Sequence, residues 1–177
     1  SMLPKYRGAN PIQRVIIDGE KETGICTMIT ELGLDSGDVC MREIIPIDDD
    51  MTCEDLYNQI SQDSPKLIVD TLEGSEFILL ESNYDTEVLR CCAYPYKLKT
   101  RIAGDKGHLS NTMAGKTISY LLKNGKLNTA MLGHLSKESN FPELAYQTVI
   151  DEIISNNNNN VNLSVASRDC PSKLINL

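Results

Sequence analysis

The segment "ELGLDSGDVC", Glu31 to Cys40, places three acidic residues and two glycines between two stretches of strand-forming sequence. A carboxylate held in such a loop can accept a proton from an attacking nucleophile, which is general base catalysis. Gly33 and Gly37 would let the backbone bend sharply around that carboxylate. The same composition is also typical of a charged surface turn, and the loop taken alone leaves both interpretations open.

Composition limits the classes of function. The chain has 177 residues and 41% hydrophobic content, enough for one ordinary domain or two small ones. Its net charge of −8 disfavours binding to phosphate backbones outside a local basic patch. The one candidate patch is "YPYKLKTRIAGDKGH", for which a solvated helix face is the simpler interpretation.

The cysteines and the hydropathy pattern indicate a cellular location. Six cysteines are present without a C-x-x-C pair, which favours mostly buried thiols in a reducing compartment. No apolar run has the length of a membrane span, and no secretory leader is recognisable at the N-terminus. We therefore expect a cytoplasmic protein.

Apolar periodicity predicts strands alternating with helices. In the first part, a short helix ends at Asp18-Gly19, and the strands "GICTMIT" and "CMREIIPI" flank the acidic loop. A longer helix starts at Thr52, where Asp55 completes a capping box, and Pro65 is predicted to kink or divide it.

The second part continues the alternation. "FILLES" is a continuous apolar run, predicted to be a strand buried on both faces, and "NTAMLGHL" is a second buried strand. Helices are predicted in "YDTEVLRC", "YPYKLKTRI", "LSNTMAGKTISYLLKNGK" and from Pro142 to Ser155, before a closing strand in "VNLSVASRD". The sequence thus predicts an α/β fold with mixed layers, as two half-domains, 1–73 and 74–177, joined near residue 73.

The motifs "LPKYRG" and "ETG…ELGLDSGD" resemble the methionyl-tRNA formyltransferase family of folate-dependent formyltransferases, over residues 1 to about 72. The resemblance implies transfer of a formyl group from 10-formyltetrahydrofolate to methionyl-tRNA. It places the family's catalytic acid on Asp35. It also implies that the two loops bind substrate through Pro4, Arg7, Gly8, Gly33 and Gly37.

In that family an Asn and a His stabilise the oxyanion beside the acid, and they precede the motif that begins here at Ser1. We therefore expect this formyl-transfer site to be incomplete. Such residues act as a unit, and an acid without its partners is a poor catalyst.

The motifs "FILLESNYD", "YPYKLKTRIAGDKGHLSN", "LGHLSKESN" and "LSVASRDCPSKL" resemble the C-terminal half of single-domain metallo-β-lactamase-fold hydrolases, over about 74–177. The resemblance implies a metal-dependent nuclease or phosphodiesterase. It places a zinc or manganese ligand on His134, at the end of a buried strand, and a substrate-binding role on His108. Where that family has "SNHD", this chain has Tyr84 in place of the histidine.

The remaining metal ligands of that family belong to an amino-terminal half, and we expect this second site to be incomplete too. Three hypotheses stay open. The chain is a fusion of two partial enzymes, or a non-catalytic chimera that self-associates through exposed sheet edges, or an enzyme completed across a homo-oligomer.

Overall fold

The structure is a computed structural model that describes residues 3, 5–6, 8–29, 37–104, 107–156 and 161–172. The chain divides into two compact units, Ser1–Leu72 and Glu73–Leu177. Among the described residues, each unit has its own sheet, of two strands in the first unit and three in the second. The mixed α/β fold predicted from the sequence is confirmed.

The first unit packs two helices with an antiparallel strand pair. Its elements are α1 (Pro11–Ile17), β1 (Glu22–Met28), β2 (Val39–Pro46) and α2 (Cys53–Leu72). The core consists of Val15, Ile45, Ile47 and Leu56, one or two residues from each helix and from the end of β2. β1 and β2 are therefore held against the helices on one side.

Helix α2 begins with the predicted capping box. The Thr52 hydroxyl accepts from the Asp55 backbone N–H at 3.2 Å, and the Asp55 carboxylate accepts from the Thr52 N–H at 3.0 Å. Of the two predicted effects of Pro65, division of the helix is excluded, because α2 runs undivided from Cys53 to Leu72, and the kink stays a prediction. Leu56 and Leu67 are buried on either side of the proline, and their packing outweighs the lost backbone hydrogen bond.

The second unit is a parallel sheet covered by helices. Its elements are β3 (Phe77–Glu81), α3 (Thr86–Cys91), α4 (Tyr96–Ala103), α5 (Asn111–Asn124), β4 (Thr129–Gly133), α6 (Pro142–Ser155) and β5 (Asn162–Val165). The strand order is β3-β4-β5, and both pairs are parallel. Every residue of β4 is buried, as the sequence predicts for "NTAMLGHL".

Helices α5 and α6 pack closely because Gly115 lacks a side chain. A Cβ at Gly115 would lie 2.7 Å from the Cβ of Glu152 on α6. The buried core beside this contact includes Ile118, Val149 and Ile153, each fully buried. The α5–α6 layer thus covers the sheet through tight side-chain packing.

Two local predictions were wrong. Strand β3 is not buried on both faces, since Leu79 is 61% exposed; among the described residues β3 pairs with β4 alone and forms a sheet edge. All six cysteines lie in the described part of the chain and none of them forms a disulfide, but none is fully buried, and Cys40, Cys91 and Cys170 are exposed.

No helix in the described part of the chain is long and apolar enough to cross a lipid bilayer.

Candidate functional site

Three polar side chains meet at one edge of the second unit's sheet. Glu81 is the last residue of β3, and His134 directly follows β4. Since Glu81 pairs with Gly133 in the parallel register, the two side chains leave neighbouring strands at the same level. The carboxyl ends of parallel strands are where α/β proteins place ligand sites.

His108 joins them from the connection between α4 and α5. Its backbone N–H donates to the carbonyl of Ile102 at the end of α4, at 2.8 Å. Two residues on, Ser110 caps α5 by accepting from the Met113 N–H. The loop is thereby anchored at both ends, and it places the imidazole over Glu81.

One carboxylate oxygen bonds both imidazoles. Glu81 Oε1 lies 2.7 Å from His108 Nδ1 and 2.5 Å from His134 Nδ1, and the two rings are 5.2 Å apart between centroids in an edge-to-face arrangement. Glu81 Oε2 accepts from the Leu109 N–H at 3.1 Å. Both oxygens of the carboxylate therefore have partners, which fixes its orientation.

The charge state of Glu81 follows from these partners. Partial burial favours a higher pKa for the carboxyl, but the hydrogen bonds from Leu109, His134 and His108 outweigh it and hold the pKa of Glu81 below its usual range. The ionised carboxylate only accepts, so in the metal-free protein these two contacts require a proton on each Nδ1, and a metal bound at the same atoms would displace those protons. Each ring is thus oriented by the same anion.

The three residues fit a divalent transition metal. One ligand atom from each of Glu81, His108 and His134 lies within 4.8 Å of the others. Two imidazoles and a carboxylate are ligands that zinc accepts, and three protein ligands are the number found in catalytic zinc sites, which keep a further position for water. Side-chain exposures of 28% for Glu81, 40% for His108 and 68% for His134 leave the cluster accessible to solvent.

A cavity of about 700 Å³ opens beside the cluster. His108 and His134 line it together with the cationic side chains Arg101 and Lys137. A second cavity of about 640 Å³ is also lined by His134, and its lining includes Arg168 and Asp169. The cationic side chains in these two cavities, Arg101, Lys137 and Arg168, would attract an anionic substrate.

The structure brings together both histidines that the sequence singled out, and it adds Glu81, which sequence analysis missed. Glu81 directly follows the apolar run "FILL". A charged residue at the carboxyl end of a predicted strand is the sequence feature that could have identified it as a site residue. Its pairing with the histidines depends on strand order and on the α4–α5 connection, neither of which the local sequence shows.

In the first unit, the four predicted site residues Pro4, Arg7, Gly33 and Asp35 lie outside the described residues. Gly8 has φ of +105°, a conformation that favours glycine, and Gly37 lies in a bend. Ile29, before the acidic residues, donates its N–H to the carbonyl of Asp38 at 2.9 Å.

The loop that contains "LPKYRG" is held by residues distant in sequence. Arg42 on β2 donates to the Leu3 carbonyl at 2.9 Å. Glu20 accepts from the Tyr6 hydroxyl at 2.7 Å and from Lys5 at 2.5 Å. Those bonds lower the pKa of Glu20. Leu3, Lys5 and Tyr6 are thus bound to β2 and to the segment just before β1.

Residues 1–72 match the sequence model of the family described as Formyl transferase. The first unit is formyltransferase-like. Methionyl-tRNA formyltransferase of Heliobacterium modesticaldum is 46% identical over 76 residues, that is 43% of this chain and 24% of the relative. The enzymes of Symbiobacterium thermophilum and Acetivibrio thermocellus are 42% and 46% identical over the same length, covering 23% and 24% of those proteins.

The chain thus spans about a quarter of the length of these curated relatives. No solved structure matches it. The resemblance of residues 74–177 to metallo-β-lactamase-fold hydrolases stays a prediction from sequence motifs.

Proposed function

We propose that the first unit belongs to a formyl-transfer site that uses 10-formyltetrahydrofolate and methionyl-tRNA, with Asp35 as its acid. The single observation that supports this is the similarity of residues 1–72 to methionyl-tRNA formyltransferases of three bacteria. Gly33 and Gly37 beside the acid, with Pro4, Arg7 and Gly8 in the second loop, are the proposed substrate contacts.

The proposed chemistry is an acyl transfer. The methionyl amine attacks the formyl carbon, the bond from that carbon to N10 of the folate breaks, and the proton lost by the amine is delivered to N10. Asp35 assists by holding an imidazolium or by positioning the water that relays this proton. Neither histidine of the chain lies in residues 1–72, so these residues do not themselves supply the imidazole.

Formylation of methionyl-tRNA by the full chain tests this proposal, and because the site is expected to lack its Asn and His, the rate should be low. Asp35→Asn is expected to lower this residual rate by at least about tenfold, less than the full effect of general acid–base catalysis, since such residues act as a unit. The matched control is Asp38→Asn, a second carboxylate of the same loop, which should change the rate by no more than a few-fold. Absence of formyl transfer by the wild type, or an unchanged rate in Asp35→Asn, would overturn it.

We propose a second function for the second unit, metal-dependent hydrolysis of a phosphoester. The observation that supports it is the approach of Glu81, His108 and His134 to within 4.8 Å of one another. These three side chains would hold zinc or manganese, and when bound the ion would polarise the phosphoryl oxygen and lower the pKa of a bound water. Arg101 and Lys137 would bind the anionic phosphate in the adjoining cavity.

Two measurements on the full chain test this second proposal. After dialysis against a chelator, calorimetric titration with zinc should show stoichiometric binding. The zinc- or manganese-loaded chain should then hydrolyse bis(p-nitrophenyl) phosphate, and Arg101→Ala should raise KM more than it lowers kcat. Failure to bind either metal, or loaded protein without hydrolysis, would contradict the proposal.

A further inference from the structure

His134 has an unusual backbone conformation. Its φ is 57°, in the left-handed region that side chains other than glycine rarely adopt. Such a conformation persists only where the surrounding structure imposes it, and it is often found at functional sites. The residue therefore needs a restraint close to its own peptide group.

Asn83 supplies that restraint. Its side-chain amide Nδ2 donates to the carbonyl of His134 at 2.7 Å, and its own carbonyl accepts from the Ser136 N–H at 2.8 Å. Asn83 is 7% exposed, so both bonds are shielded from competition by water. The two residues that flank Leu135, His134 and Ser136, are thus both bound to one asparagine.

The same residue also holds the loop of the second histidine. The backbone N–H of Asn83 donates to the carbonyl of Leu109, the residue after His108, at 2.8 Å. Asn83 lies two residues after Glu81 on the segment that leaves β3. A single residue therefore links the segments that carry all three members of the cluster.

We propose that Asn83 is a positioning residue, which fixes His134 so that its imidazole meets Glu81 and His108. The purpose of this positioning rests on the proposed metal-binding function. The geometry of the two imidazole rings can be tested without metal. The donor is essential, because an aspartate at this position would place an oxygen against the His134 carbonyl oxygen and a leucine would leave that carbonyl without its partner.

The chain offers a matched control in Asn140. This asparagine is 5% exposed, and its Nδ2 donates to the Ser82 carbonyl at 2.9 Å and to Asn111 Oδ1 at 2.8 Å. Its side-chain amide thus bonds Ser82 and Asn111, both buried polar residues, and not the carbonyl of His134. Replacing it perturbs the fold in a comparable way without removing the proposed restraint.

The experiment compares Asn83→Leu with Asn140→Leu in the full chain, with Asn83→Ser as the milder variant should Asn83→Leu not fold. In metal-free protein, nuclear Overhauser contacts between the His108 and His134 rings should be present in the wild type, lost in the Asn83 variant and kept in Asn140→Leu. Zinc affinity should fall by about 10- to 100-fold in the Asn83 variant, the usual effect of removing a residue that orients ligands.

Retained ring contacts and unchanged zinc affinity in the Asn83 variant would overturn the proposal. Equal losses in Asn140→Leu would also overturn it, because the effect would then reflect general destabilisation. If the wild type binds no zinc, the proposed function fails, while the ring contacts still decide whether Asn83 positions His134.

Discussion

Glu81 Oε1 lies 2.5 Å from Nδ1 of His134, across two parallel strands that end at the same level. The same oxygen bonds His108, so one carboxylate organises both histidines of the chain. This arrangement is the strongest structural indication of function in the second unit. For the first unit, the indication of function is its sequence similarity to formyl transferases.

The carboxylate at position 81 should be required for metal binding. Glu81→Gln removes the charge and replaces one carboxylate oxygen by an NH₂ donor, which leaves a single neutral oxygen to accept from the imidazoles or to bind a cation. We expect zinc affinity to fall by at least about tenfold in calorimetric titration. Glu138→Gln is the control, since Glu138 lines the same cavity outside the cluster, and its affinity should stay within twofold. Equal losses in both variants would point to bulk electrostatics rather than to ligation.

Gly115 should not tolerate a methyl group. Alanine is the better helix former, but its Cβ would meet the Cβ of Glu152 at 2.7 Å in the α5–α6 contact. We expect Gly115→Ala to lower the free energy of unfolding of the second unit by about 1–3 kcal/mol, measured by urea denaturation. Gly74→Ala, where a Cβ would meet nothing within 4 Å, is the control. A stabilised Gly115→Ala would show that the two helices are further apart than described.

The exposed edge of the second sheet should promote self-association. Leu79 is 61% exposed on β3, and an edge strand with an apolar side chain can pair with another chain. Sedimentation velocity should show a concentration-dependent dimer that Leu79→Lys shifts towards monomer. Ile154→Lys on α6, also an exposed apolar position, should leave the equilibrium unchanged. A wild type that stays monomeric at all concentrations would refute this prediction.

The cap of α2 should weaken in acid. The hydrogen bonds from the Thr52 hydroxyl and the Thr52 N–H lower the pKa of Asp55 from its ordinary value of 3.8. Because the folded pKa is the lower one, this contribution to stability is complete above about pH 3.8 and is lost as the pH falls through the folded pKa.

Amide exchange at Leu56, whose N–H donates to the Thr52 carbonyl, reports on this cap. At pH 6, Asp55→Ala should exchange faster than the wild type there, and the difference should shrink below pH 3.8. Asp50→Asn, just before the helix, should have no effect at either pH. A difference between Asp55→Ala and wild type that persists unchanged in acid would contradict the ionic nature of the cap.

The local sequence was sufficient to predict those elements that are specified by a few neighbouring residues. The capping box at Thr52, the apolar face of α6 and the buried run of β4 are each written within a few residues, and each is present. The exposure of β3 was not predictable in this way. An apolar run has the same appearance in a central strand and at an edge, and only the strand order distinguishes them.

The candidate site was predictable in part for the same reason. His108 and His134 were predicted as site residues because they are the only histidines of the chain and lie within motifs that resemble a hydrolase family. Glu81 and Asn83 acquire their roles from contacts across 27 to 53 residues of sequence, made by strand pairing and a long connection. Such contacts depend on the tertiary fold, which local patterns do not encode.

X-ray absorption fine structure at the zinc edge of the zinc-loaded full chain tests the central claim most directly. The account predicts one zinc environment with two imidazoles and one carboxylate oxygen at about 2.0–2.2 Å, completed by a water oxygen. The imidazole signal should be reduced in His134→Ala. A zinc surrounded by water and carboxylate oxygens without imidazole, or a chain that retains no zinc, would contradict it.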